Sequence, residues 1–219
     1  GVLIYRFSLP AFLVTLAGLF FARGFAFLLS MDPLSISHPT FDWIMDDLGF
    51  TLVVPGLGEA YMPPTGLMFL IVLLIGAVVA RWTPFGRNTY AIGGDSHAAV
   101  LMGVPIAATT IALYALSGLC AGLGAVATTL VDSAGKPNIG VGLELDAIAA
   151  VVIGGTMLSG GVGTVGGTLM GVMIIGLVRA VINIDGRLPS PWHHITIGLL
   201  LLMFIALQQL LTQSNKKEA

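Results

Sequence analysis

Of the 219 residues, 56% are hydrophobic and only 9% are charged, whereas a soluble domain carries about a quarter of charged residues. With a mean hydropathy of +0.97, the chain has too little polar surface to cover itself in water, so its composition predicts a membrane protein. The net charge of −2 is uninformative about nucleic acid, but the sequence has no basic stripe or aromatic-interleaved patch, so no nucleic-acid partner is expected. The lone Cys120 excludes a disulfide framework and a cysteine metal site, and is expected to pack as a small hydrophobe.

The first predicted membrane span covers residues 9–30, an apolar run long enough to cross roughly 30 Å of hydrocarbon as a helix. Arg23 interrupts this run. An arginine there either faces a bundle interior or snorkels to the interface, and the sequence leaves both open. Residues 31–64 carry prolines and five acidic residues, so they predict an extramembrane segment with a short amphipathic helix near residues 41–48.

The second predicted span, residues 65–82, leads into the stretch RWTPFGRNTYAIGGDSHAAVLMG, residues 81–103. The incoming helix is predicted to break at residues 83–86, because proline cannot donate to the helical ladder and disfavours helix just before it. Gly93 and Gly94 are predicted to make a second break.

A short helix is predicted over residues 96–102, capped by Asp95 or Ser96, with a small face formed by Ala98 and Ala99. Such a helix suits docking on a protein partner. An ordinary connector between two spans explains it as well, and the residues alone favour the connector.

The third predicted span, residues 104–131, contains Gly118 and Gly122, whose spacing lets another helix approach closely. Residues 132–142 are polar and glycine-rich and predict a loop.

The next apolar segment, residues 143–157, is too short to cross a membrane alone. Glu144 and Asp146 lie in its first turn, where the helix dipole favours anions, so capping explains both. Glycines then predict a break at residues 154–161. Irregular backbone in a membrane is tolerated only where protein or a water-filled cavity covers it, so the break lies either against neighbouring helices or beside a transport pathway. The candidate pathway residues are Gly154, Gly155, Thr156, Ser159, Gly160 and Gly161.

A further span is predicted over residues 162–183, with Gly163, Gly167 and Gly171 forming a stripe of small residues for helix packing. A turn over residues 185–191 then precedes the last predicted span.

The last predicted span covers residues 192–211. The orientation of all the spans is predicted from the positions of the basic residues, which favour the cytoplasmic side. With residues 81–103 in the cytoplasm and the spans alternating, nine of the eleven acidic residues fall outside, and Lys136 and Arg187 fall outside against the rule. The basic residues that fall inside are Arg6, Arg81, Arg87, Lys216 and Lys217.

Five stretches of the chain resemble the permease subunits of ribose-type ABC sugar importers. The stretches are LPAFLVTLAGLFFARG (9–24), ISHPTFD (36–42), GRNTYAIGGDSHAAVLMGVP (86–105), VGLELDAIAAVVIGGTMLSGGVGTVGGTLMG (141–171) and GLLLLMFIALQQLLT (198–212). The likeness is closest to the permease of the galactofuranose importer. It implies that the third stretch holds the coupling helix that docks on the ATPase subunit. The implied coupling residues are Gly93, Gly94, Asp95, Ser96, His97, Ala98 and Ala99.

Two features depart from that family. Asp95 stands where the family usually has asparagine, and the chain opens at Gly1, already inside a motif and without an initiator methionine. We therefore expect a single permease domain over residues 1–219 that lacks the family's N-terminal third.

Residues 161–166 match G-x-G-x-x-G, and Asp185 follows about twenty residues later, which outlines a dinucleotide-binding fingerprint and an oxidoreductase. The helix over residues 164–178 carries no charged residue, whereas such a helix needs a solvated face, so the context argues against this interpretation. A channel or an ion-coupled transporter fits the composition nearly as well as a permease.

The sequence thus predicts an all-α, polytopic helix bundle with about six membrane segments, one of them broken, in the bacterial inner membrane. By resemblance it is the permease subunit of an ATP-driven monosaccharide importer, with a furanose such as galactofuranose as the sugar. Residues 1–219 contain no Walker motif, so ATP hydrolysis is expected from a separate ATPase subunit. The other expected partners are a second permease subunit, a periplasmic sugar-binding protein and membrane lipid, with no cofactor and no metal.

Overall fold

The computed structural model describes residues 1–47, 49–54, 58–185 and 191–217. Its helices are α1 (Val2–Phe7), α2 (Ala11–Leu29), α3 (Pro39–Asp47), α4 (Pro64–Trp82), α5 (Pro84–Gly94), α6 (Ser96–Leu101), α7 (Ile106–Asp132), α8 (Leu143–Ile153), α9 (Val165–Asp185) and α10 (Pro191–Lys217). Its strands are β1 (Leu34–Ser35), β2 (Phe50–Val54), β3 (Gly58–Met62) and β4 (Ala134–Gly135).

Four helices are long and apolar enough to cross a membrane: Ala11–Leu29, Pro64–Trp82, Ile106–Asp132 and Val165–Ile184. They confirm the first three predicted spans and the span after the break. Ile195–Gln208 is a shorter apolar stretch of α10. Most of the predicted turn over residues 185–191 lies outside the described residues.

The chain divides into two compact units. The first comprises Gly1–Ile75 and Pro105–Ile139. In it, α7 packs against α1 and α3. The predicted amphipathic helix is confirmed as α3, but the antiparallel hairpin of β2 and β3, in which Phe50 pairs with Met62, was not predicted. Cys120 is exposed on α7, rather than packed as predicted, because no described element covers that face.

The second unit comprises Gly76–Val104 and Gly140–Ala219, and its core lies where α8 contacts α9 and α10. Small and branched residues of these helices are buried together: Ala149, Ala150, Ile153, Ile175 and Ile197. Leu200, Leu201 and Phe204 of α10 pack against this cluster. The short α8 is therefore the central helix of the unit, and the break that follows it is held by its neighbours.

Candidate functional site

The turn from α4 into α5 is set by Thr83. Its hydroxyl oxygen accepts a hydrogen bond from the backbone N–H of Gly86 at 3.2 Å, and Pro84 occupies the first helical position. The break predicted at residues 83–86 is therefore confined to Thr83, because proline at that position starts a helix rather than ending one. Gly86 is buried, and a side chain there would overlap the carbonyl oxygen of Ala80.

Asp95, one of the two caps that the sequence predicted, caps α6 and also ends α5. The break predicted at Gly93 and Gly94 is wrong, because α5 continues through both glycines. Its carboxylate accepts hydrogen bonds from the backbone N–H groups of His97 at 2.8 Å and Ala98 at 3.2 Å. Beyond the helix, Gly103 adopts a φ of +75°, a left-handed conformation that glycine tolerates best. Residues 96–101 thus form a capped helix between two sharp turns.

The docking face predicted on α6 needs correction. Ala99 is fully buried and Ala98 is half-buried, because this side of the helix turns toward its own unit. The apolar side chains that α6 exposes are Val100 (58%), Leu101 (89%) and Met102 just beyond it (69%). Docking by α6 stays a prediction, and these exposed side chains rather than the two alanines are the surface available for it.

The predicted break after α8 is confirmed. Gly154 caps α8, and Gly155, Gly160 and Gly161 all adopt positive φ, between 78° and 91°. Backbone hydrogen bonds close the loop on itself, including Met157 N–H to the carbonyl of Val162 at 3.0 Å. The backbone therefore turns sharply several times before α9 begins.

Neighbouring helices supply part of what the broken backbone needs. The side-chain amide of Gln208 in α10 donates to the carbonyl oxygens of Val152 at 3.3 Å and Thr156 at 3.4 Å. The carbonyl of Val152 already accepts from the backbone N–H of Gly155 at 3.0 Å, so the contact matters most at Thr156, where an unsatisfied carbonyl in hydrocarbon would cost several kcal/mol. Sequence reasoning missed Gln208, although a glutamine within an apolar helix is a detectable signal. Thr156 is half-buried, and Ser159 is exposed.

The start of α9 also differs from the prediction. Thr164 accepts a hydrogen bond from the backbone N–H of Gly167 at 3.0 Å, so the helix begins at Val165. Gly163 therefore lies before the helix and not in its small-residue stripe. A side chain at Gly163 would instead meet the side chain of Thr156 at 2.7 Å.

Gly167 and Gly171 do lie on α9, where they face α8 closely. A Cβ atom on Gly167 would overlap the carbonyl oxygen of Gly154, and one on Gly171 would overlap that of Ala150. Gly118 and Gly122 differ, since an added Cβ would meet no described atom within 4 Å. The packing role of this second pair stays a prediction that concerns a partner outside the described residues.

Two of the predicted residue groups come together at the end of α5. A Cβ atom on Gly93 would lie 2.7 Å from the backbone nitrogen of Gly161, and one on Gly161 would lie 2.8 Å from the Cα of Gly94. The hydroxyl of Tyr90 donates to the carbonyl of Gly163 at 2.9 Å. The last turn of α5 thus packs backbone to backbone against the break.

Beside this contact lies an open, basic cleft of about 580 Å³. Arg81 and Arg87 line it on one side, and Thr164 and Gly166 at the start of α9 line it on the other. Both arginines were predicted to face the cytoplasm, and the cleft places them around the same opening.

Asp146 lies in the first turn of α8, as the sequence predicted, but it also pairs with an arginine of another helix. The N-cap residue of α8 is Gly142, so no side chain caps the helix there. The carboxylate of Asp146 pairs with the guanidinium of Arg179 in α9. Asp146 is only 9% exposed, so its charge needs a partner close by. Arg179 supplies it from a position 33 residues away, which no local pattern indicates.

A dinucleotide fingerprint requires a strand before its glycines. Residues 143–153 form α8 instead, so the oxidoreductase interpretation is wrong. The apolar spanning helices, the broken segment and the capped connector helix beside it define a polytopic α-helical membrane protein.

The chain belongs to the family described as the permease component of the branched-chain amino acid transport system, whose model matches residues 1–205. The predicted class, a helical membrane permease, is therefore confirmed.

Three relatives illustrate the range of the family. The chain is 48% identical over 212 residues to the inner membrane ABC transporter permease protein YjfF of Escherichia coli, covering 97% of this chain and 62% of the relative. It is 34% identical over 210 residues to the fructose import permease protein FruG of Bifidobacterium longum (95% and 62%). It is 36% identical over 211 residues to the ribose import permease protein RbsC of Bacillus subtilis (95% and 62%). The chain thus spans 62% of the length of each of these relatives. No solved structure matches it significantly.

Proposed function

We propose that this chain is part of the permease subunit of an ATP-driven importer that carries a monosaccharide across the bacterial inner membrane. Relatives named as fructose and ribose import permeases support a sugar as the substrate. The sequence motifs favour a furanose such as galactofuranose. A separate ABC ATPase, a second permease subunit and a periplasmic sugar-binding protein complete the transporter.

The contact between α5 and the break carries this proposal. Gly93 and Gly161 meet without side chains between them, so no flexible group can absorb a displacement of either backbone. An ATPase that moves α6 also moves Asp95, which is shared by the ends of α5 and α6. The displacement then reaches the break and α8. Alternating access becomes a rearrangement of packed helices that the connector drives.

Leu101→Asp tests this role in the full-length permease, reconstituted with its ATPase and binding protein. Leu101 is 89% exposed, so the change leaves the packing of α6 intact while placing a charge in the docking face. We expect ATPase stimulation by sugar-loaded binding protein to fall about tenfold, a coupling loss of about 1.4 kcal/mol. The abundance of the permease in the membrane should not change.

Two companion variants sharpen the result. Leu101→Met keeps the surface apolar and should retain stimulation, whereas Ala99→Trp places a bulky ring at a fully buried position and should lower abundance instead. Normal stimulation of Leu101→Asp would remove α6 from the coupling path. A wild-type transporter that imports no monosaccharide, from a panel of D-galactose, D-fructose, D-ribose, D-xylose and L-arabinose, would contradict the proposed function itself.

A further inference from the structure

We propose that the cavity between α8 and α9, beside the Asp146–Arg179 pair, binds a neutral, hydroxyl-rich molecule. This proposal rests on the proposed function, under which that molecule is the monosaccharide in transit. The cavity is open to the surface and measures about 240 Å³. Its lining includes Leu143, Asp146, Val172, Ile175, Gly176 and Arg179.

The charges of the cavity select a neutral ligand. Asp146 and Arg179 carry opposite charges and are joined in an ion pair, so together they add no net charge to the lining. A carboxylate accepts hydrogen bonds, and a guanidinium carries five N–H donors in a rigid fork. The side chain of Arg179 remains 44% exposed although it is paired. The guanidinium therefore supplies most of the polar surface that a hydroxyl group could meet, whereas the carboxylate, whose side chain is only 11% exposed, mainly holds the guanidinium in place.

The remaining wall suits the carbon face of a sugar ring. Leu143 and Ala150 of α8 and Val172 and Ile175 of α9 are apolar. Ligand sites are mostly apolar with a few fixed polar groups, and those for drug-sized molecules measure roughly 300–1,000 Å³. A slightly smaller cavity of this kind fits a molecule the size of a monosaccharide.

The cavity also lies on the helix that leads to the break. With a rise of about 1.5 Å per residue, Asp146 lies about 12 Å along the axis from Gly154. The carbonyl oxygens of Ala150 and Gly154 both face the glycines of α9. A shift of α8 against α9 therefore changes the cavity, which links sugar release to the displacement that α5 delivers.

The contact between Asp146 and Arg179 would be the same if the ion pair only held α8 against α9 and the cavity bound no ligand. A substitution at Gly176 distinguishes this structural role from a ligand site. A Cβ atom there meets nothing within 4 Å, so Gly176→Leu leaves the fold intact and occupies the edge of the cavity. Gly198 of α10 is the matched control, because its surroundings are equally open and it does not line the cavity.

The first measurement is uptake of radiolabelled D-galactose, D-fructose and D-ribose by the full-length transporter in proteoliposomes. A single methylene in a hydrophobic pocket changes kcat/KM by about 10–200-fold, so Gly176→Leu should lower the uptake rate at sub-saturating sugar by about tenfold or more. Gly198→Leu should import at the wild-type rate. Wild-type uptake by Gly176→Leu, at normal abundance, overturns the proposal while leaving the proposed function intact.

The second measurement is direct. In a full-length background without other cysteines, Gly176→Cys should react with a small water-soluble thiol reagent, and an excess of the imported sugar should slow the reaction by about tenfold. Sodium chloride should not slow it, and Gly198→Cys should be insensitive to the sugar. Equal reaction rates of Gly176→Cys with and without sugar overturn the proposed sugar site. This second measurement remains decisive even if Gly176→Leu fails to fold. Import of no monosaccharide by the wild type, with D-xylose and L-arabinose added to these three sugars, overturns the proposed function and this site together.

Discussion

Gly171 and Gly198 are both small residues of membrane-segment helices, yet their surroundings are opposite. A Cβ atom on Gly171 would overlap the carbonyl oxygen of Ala150, whereas one on Gly198 would meet nothing within 4 Å. In a membrane, helices associate through close van der Waals packing rather than through a hydrophobic driving force. The absence of a side chain therefore matters only where another backbone lies against the glycine.

The pair yields a stability prediction. Gly171→Ala should destabilise the permease by about 1–3 kcal/mol, because the methyl group pushes α9 away from α8. Gly198→Ala should be neutral or stabilising by up to about 1 kcal/mol, since alanine favours helix more than glycine does. Thermal unfolding of the detergent-solubilised full-length permease measures both. Equal melting temperatures for the two variants would contradict the tight contact at Gly171.

Asp146 and Arg179 show why residue type alone assigns a role poorly. An acidic residue in the first turn of a helix is a reasonable cap by position, and the dipole there favours it by about 0.3–1 kcal/mol. The low exposure of Asp146 makes an opposite charge the stronger requirement. Because Asp146 is buried, the guanidinium of Arg179 matters more to its carboxylate than the N-terminal end of α8 does.

At the scale of elements, the broken segment between α8 and α9 has two differently covered sides. Gln208 of α10 reaches the carbonyl oxygens of Val152 and Thr156, so a neighbouring helix covers that side. Ser159, in the turn that precedes Gly160 and Gly161, is exposed. The expected cover by a neighbouring helix is therefore met at Thr156, whereas contact of Ser159 with a water-filled pathway stays a prediction.

Cysteine scanning tests this division. With Cys120 removed, Ser159→Cys should react with a small water-soluble thiol reagent faster than Thr156→Cys, because the second side chain is half-buried. If the break lines the pathway, ATP-driven cycling should also change the rate at Ser159. Should both cysteines stay unreactive in every state while transport continues, the segment is a packing device alone.

Membrane orientation belongs to the scale of the whole molecule. The basic residues predict that the connector of α5 and α6 faces the cytoplasm and that the loop after α7 faces outward. The single long helix α7, Ile106–Asp132, joins these two regions and is long enough to cross the bilayer once. One crossing must place its two ends on opposite sides.

His97→Cys and Asn138→Cys provide the corresponding test, since both positions are exposed. In the full-length permease, with other cysteines removed, an impermeant maleimide added to intact spheroplasts should label only Asn138→Cys. Both should be labelled after permeabilisation. Labelling of His97→Cys alone in intact cells would invert the orientation and remove α6 from contact with a cytoplasmic ATPase.

The sequence by itself determined the features that contiguous residues encode. Apolar runs of about twenty residues defined the spans, because their length must match the hydrocarbon thickness. Asp95 identified the start of α6, and glycines at residues 154–161 identified the break, because caps and positive φ depend on local chemistry. The local signals failed at Gly163, where Thr164 caps the helix one residue later.

Only the tertiary structure decided which of these features meet. Arg179 pairs with Asp146 across 33 residues, and Gln208 reaches Val152 across 56. The backbone of Gly93 packs against that of Gly161, and since neither residue has a side chain, no sequence pattern predicts this contact. Each contact depends on how whole helices pack. The residue pattern of one helix indicates which of its faces is apolar, but it does not indicate which helix packs there. Local sequence patterns therefore encode the membrane class, whereas the proposed coupling route and the proposed sugar cavity depend on the packing of α5, α8 and α9.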